Sequence, residues 1–132
     1  MSNPYFCELY VDTNEDIRKV EAALNSAAAD AFSGIFVELP IYKNDNFQET
    51  SINKVPYDFI ECSRYYVELG TVEQVPDQLS DFQSGVAVLV KSLRERGWFV
   101  TASCDFEDAI ADVTGWNWTE GNPEPPGRAI AV

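Results

Sequence analysis

QLSDFQSGVAVLVKSLRERGWFVTASC, residues 78–104, joins an amphipathic helix directly to a strand, and its reading decides the fold. Leu79, Phe82, Val86, Leu89, Val90 and Leu93 recur at helical spacing and form one apolar stripe from about Gln78 to Arg96. Gly85 interrupts that stripe, at a cost of about 1 kcal/mol relative to alanine. Lys91, Arg94 and Arg96 complement the negative end of the helix dipole, and Gly97 suits the stop. Trp98 to Cys104 then reads as a strand.

The same alternation of signals extends outward in both directions. Residues 5–11, YFCELYV, are aromatic and β-branched, as a strand requires. Thr13 or Asn14 opens a helix, with Asp16 completing a weak capping box. Ile17, Val20, Leu24, Ala27, Ala28 and Ala31 face inward, and Gly34 ends the element. Residues 35–42, IFVELPIY, form a second strand that lies at an edge or breaks at Pro40, because proline has no N–H for a ladder. Polar residues 43–56 connect it to a third strand over 57–69, YDFIECSRYYVEL, and Gly70 to Asp77 make a turn. Asn44-Asp45-Asn46 lacks the glycine and distal glutamate of a calcium loop. The order βαββαβ predicts an α+β, ferredoxin-like two-layer sandwich. Right-handed crossovers would place both helices on one face of a four-stranded sheet. The other face would be open to solvent, covered by the C-terminal segment, or used for binding.

Residues 105–132 add a short helix and a proline-rich tail to a core of about 5–104, and 1–132 reads as a single domain. Asp105 is a favourable N-cap for a helix over 105–113, with Phe106, Ile110 and Val113 inward. Acids interleaved with tryptophans make Asp105, Glu107, Asp108, Asp112, Trp116, Trp118 and Glu120 a candidate partner-binding set. The same residues have a purely structural explanation. The acids cap and solvate a helix, and the two tryptophans pack onto the bare sheet face and staple the tail.

Charge narrows the classes of function. Twenty-two acids against nine bases leave a net charge of −13. Such a surface repels nucleic acid and anionic membranes, and attracts a basic protein. Acidity for solubility alone is the plainer explanation of the same number. With no histidine, Ser–His–Asp and Cys–His catalysis is impossible. Phosphate-binding glycine loops and zinc spacings are absent, so no cofactor or metal is expected. The remaining catalytic option is a carboxylate or magnesium site built from Asp105, Glu107, Asp108 and Asp112. Tyr65 and Tyr66 suggest base-stacking residues of RNA-binding sheets, but the accompanying basic motif is missing.

Cys7, Cys62 and Cys104 are too few for a disulfide framework and read as buried free thiols, with a Cys7–Cys104 bridge or a reactive thiol as the alternative. No stretch is long and apolar enough for a transmembrane helix, and the N-terminus does not read as an export signal, so the expected location is the cytoplasm. Asn117-Trp118-Thr119 is then a chance glycosylation match.

In size, acidity, lack of an export signal and lack of a catalytic set, the chain resembles the small immunity proteins that bacteria make beside toxins. That likeness is one of composition and involves no motif. It implies a stoichiometric inhibitor that occludes the active site of a basic toxin, such as a nuclease, with carboxylates standing where substrate phosphates would sit. An adaptor or regulatory domain that oligomerises through its sheet is the main alternative, and both monomer and dimer are compatible with the sequence.

Overall fold

Strand alternation and helical periodicity sort the side chains into two layers. The computed structural model describes residues 3–45, 47 and 63–118. Strand β1 (Phe6–Asp12) lies inside the sheet, between β4 (Tyr65–Thr71) and β5 (Phe99–Ser103), antiparallel to both. Strands β2 (Val37–Glu38) and β3 (Ile41–Lys43) both pair with β4 on its far side. Among the described residues, the fold is α+β, with a five-stranded, open antiparallel sheet and three helices. The single strand expected over 35–42 is two short ones. Pro40 cannot donate to a ladder, but its carbonyl still accepts from the N–H of Glu68 at 3.1 Å. The third strand continues to Thr71, and the part of it expected over 57–62 lies outside the described residues.

Helices α1 (Ile17–Ala31) and α2 (Leu79–Glu95) cover one face of the sheet. Cys7, Leu9 and Val11 of β1, Val67 and Leu69 of β4, and Val100 and Ala102 of β5 point toward them. Each fully buried leucine or valine there contributes about 1.5–3 kcal/mol. The first helix begins later than its sequence suggests. Asp16 is the N-cap and accepts from the N–H of Lys19 at 3.1 Å, while Thr13 Oγ1 accepts from the N–H of Glu15. Phe32, just past α1, stacks on Phe82 of α2 with centroids 5.8 Å apart. Gly85 provides the space: a Cβ there would lie 2.5 Å from the Phe32 ring.

A 3-10 turn (Pro76–Gln78) leads into α2, and a third helix, α3 (Glu107–Thr114), packs beside it. Phe106 and Ile110 are buried as expected, but Val113 is 54% exposed. The helix starts at Glu107, not Asp105, with Phe106 at the N-cap and no side-chain cap, and Glu107 Oε2 reaches back to accept the N–H of Cys104 at 3.0 Å. Gly115, at φ 90°, ends α3 in the left-handed conformation and turns the chain toward the outer edge of β5.

That edge is closed by side chains instead of another strand. Asn117 accepts the N–H of Ala102 through Oδ1 and donates to the Ala102 carbonyl through Nδ2, both at 3.0 Å. Arg94 donates to the Val100 carbonyl from Nε and Nη2, and to the Trp116 carbonyl and Thr114 Oγ1 from Nη1. Burial lowers the Arg94 guanidinium to about 10, which leaves it charged at neutral pH. The sequence position of Arg94 suggested a helix-dipole complement; instead the side chain ties α2, β5 and the end of α3 together.

Candidate functional site

The sheet face turned away from α1 and α2 carries an aromatic row. In β1, residues 8 and 10 point to this face, as do residues 66 and 68 of β4 and Tyr42 of β3. Register brings Tyr10 opposite Tyr66 and Tyr66 opposite Tyr42. Tyr42 and Tyr66 stack with centroids 5.2 Å apart. On the other side, Tyr10, Phe99 and Trp118 pack against Trp116, so aromatic rings run across the sheet from β3 to the C-terminal segment.

Beside this row, Glu8 faces Glu68 directly across the β1–β4 pair. Alternation along β1 makes this a non-hydrogen-bonded pair. The main chains of Val100 and Ala102 point outward to Arg94 and Asn117, so residues 8, 10 and 12 bond to β5 and their odd-numbered neighbours to β4. Side chains in such a pair are at their closest, with Cα atoms typically about 4.5 Å apart. Two carboxylates in that position repel, and the sheet tolerates the cost. Arg64, next along β4, is committed to Asp12 at 2.8 Å and stacks over Phe47.

The tyrosines register the resulting field. Burial, a hydrogen bond to Glu8 and the charge of Glu8 push the Tyr10 hydroxyl up to about 12. Tyr66 is also raised, by desolvation and then by Glu68, Glu8, Tyr42 and Asp45. The charged neighbours of both phenols all act in the direction of negative potential. Further along β4, at Gly70, an indentation of about 240 Å³ is lined by Phe6, Glu38, Pro40 and Glu68 among others. Its volume and acidic rim suit a lysine or arginine side chain.

The residues singled out by sequence occupy different surroundings. Asp105, Asp108 and Asp112 are exposed at the head and along the outer side of α3, and Glu107 is engaged with the main-chain N–H of Cys104. Trp116 and Trp118 follow the other end of α3, a helix length of about 12 Å away. Trp116 is only 4% exposed, with Arg94 over its ring at 5.1 Å, and Trp118 is half-buried. The tryptophans therefore staple the segment to the sheet, while Asp105 and Asp108 lie at the opposite end of α3 from them and Asp112 lies in its last turn. Glu120 lies outside the described residues. Asn117 is buried and fully engaged with β5. Among the described residues, no three Asp, Glu, Cys or His side chains converge in a way that could hold a metal ion, and no helix is long and apolar enough to cross a membrane.

No family model matches the chain, and no curated protein matches it in sequence. The site therefore has to be read from its own chemistry. Sequence inspection had noted Tyr66 and an open sheet face, but the opposition of Glu8 and Glu68 depends on a register between residues 60 positions apart.

Proposed function

We propose that this chain is an acidic binding protein that captures a basic protein, with the open sheet face around Tyr10, Tyr42 and Tyr66 as the contact surface. The observation that carries this reading is Glu8 held against Glu68 beside that aromatic row, an arrangement that costs stability unless a cation completes it. Stacked tyrosines supply rigid, amphipathic contact area at low entropy cost, and the carboxylates supply steering and selectivity for lysine or arginine. Steering by a net charge of −13 accelerates encounter, and aromatic burial slows release. We read the sheet as a ferredoxin-like arrangement whose second strand is broken at Pro40, since β2 and β3 share the same edge of β4.

Within this reading, the partner is the cognate toxin of an immunity-type inhibitor in the cytoplasm, and its basic active site is occluded stoichiometrically. The test is co-expression with the protein encoded by the neighbouring gene, followed by binding measurements at low and high salt. Wild type should protect the cell, and its affinity should fall at least tenfold between 50 and 500 mM salt, about 1.4 kcal/mol. Glu8→Lys combined with Glu68→Lys should abolish capture while circular dichroism stays native. Unchanged capture by that variant would remove the sheet face from consideration.

A further inference from the structure

Cys7 and Cys104 occupy a position that their separation in sequence conceals. The β1–β5 register runs from Asp12 opposite Phe99 to Glu8 opposite Ser103, and Cys7 and Cys104 are the residues that follow this last pair on either chain segment. Ala102 and Val100 turn their main chains outward, so extending that alternation one residue past the end of β5 would put Cys7 and Cys104 at a non-hydrogen-bonded position, in which side chains approach most closely. The Cα separation typical of such pairs, about 4.5 Å, lies within the range a disulfide spans. Both thiols are free, and the Cys7 thiol donates to the Glu8 carbonyl at 3.7 Å.

The two sulfurs have unequal surroundings. Cys7 is fully buried in the core, and its thiol is held far above its ordinary value by the hydrogen bond to Cys104, by burial and by the charge of Cys104. Cys104 is half-exposed immediately before α3. The hydrogen bond from Cys7 and one from the Phe106 main chain lower it, against burial and the nearby Glu107 and Asp105 carboxylates. One thiol is thus accessible and activated, and the other is protonated and in reserve behind it.

We propose that Cys104 is an oxidant-reactive modification site and that Cys7 is its resolving thiol, the pair closing to a reversible cross-strand disulfide on exposure to a peroxide. The Cys104 thiolate attacks one oxygen of hydrogen peroxide, the O–O bond breaks, and the departing hydroxide takes a proton to become water. Cys104 is then a sulfenic acid. The Cys7 sulfur attacks it, the S–O bond breaks, and the Cys7 proton leaves with the hydroxide as a second water. Two thiols are oxidised and one peroxide is reduced. A dithiol reductant reverses the product by exchange.

The experiment treats the full chain with hydrogen peroxide and follows it by thiol counting, intact mass and peptide mapping. Two of the three thiols should be lost with a mass decrease of two hydrogens, and a peptide joining Cys7 to Cys104 should appear and vanish with dithiothreitol. The Cys62→Ser variant should behave identically. In Cys7→Ala, Cys104 should instead accumulate as a sulfenic acid that a dimedone probe traps, and in Cys104→Ser the Cys7 thiol should stay unreactive. Circular dichroism identifies any variant that fails to fold, in which case wild-type mapping alone decides. Bridging through Cys62, disulfide-linked dimers only, or no loss of thiols would overturn the proposal.

Discussion

Gly85 shows how one missing methyl group sets a helix–helix distance. In an exposed helix, replacing glycine by alanine gains about 1 kcal/mol. Here the new Cβ would meet the Phe32 ring at 2.5 Å and the Ala31 carbonyl at 3.0 Å, and Phe32 is itself held against Phe82. Overpacking of this kind typically costs about 1–3 kcal/mol, so Gly85→Ala should fail to stabilise and should lower stability by up to about 2 kcal/mol net, read as a lower urea midpoint with an unchanged slope. At Tyr10 the relevant quantity is a proton. Its folded value, about 12, lies above the ordinary 10 of an unfolded chain, so the phenol's contribution to stability is complete below pH 10 and lost as pH rises through 12. Unfolding free energy should therefore decline over that interval. Tyr10→Phe should flatten the decline and remove one late step from the phenolate absorbance titration.

The element whose fate was least legible is the stretch after α3. Its sequence permitted exposed tryptophans or packed ones, and the choice rests on Asn117, whose amide matches the outward N–H and carbonyl of Ala102 as a neighbouring strand would. This device also protects an edge strand from pairing with other chains. Asn117→Ala would leave the Ala102 N–H and carbonyl without a partner, remove the acceptor of the Thr101 hydroxyl, and should cost about 2–4 kcal/mol. Release of Trp116 and Trp118 from the sheet should appear as a red shift in tryptophan emission. If the emission is unchanged, the aromatic contacts alone hold the segment. Helices α1 and α2 were far more legible, since Val20, Leu24, Phe82, Val86, Leu89, Val90 and Leu93 are all buried on the stripes their spacing marked. Their ends were less so. Asp16 takes the capping role that local propensity gives to Thr13 or Asn14, and α3 begins after Phe106 without the side-chain cap that Asp105 would supply.

Across the whole molecule, surplus negative charge opposes the compact state, and the Glu8–Glu68 pair concentrates part of that repulsion on one face. Added salt should therefore raise stability, and Glu68→Gln should raise it by about 0.2–1 kcal/mol at low salt while weakening capture of a basic partner. A variant that gained stability and kept full capture would show that the pair serves no contact. The sequence by itself determined the kinds and order of the elements, the two buried stripes and the overall potential, because periodicity, turn chemistry and charge are local or additive properties. Only the tertiary structure decided which acids face one another and that Trp116 lies beneath Arg94 against the sheet. Those are cross-strand and interlayer relations between distant residues, set by register and packing, which no short window of the chain specifies.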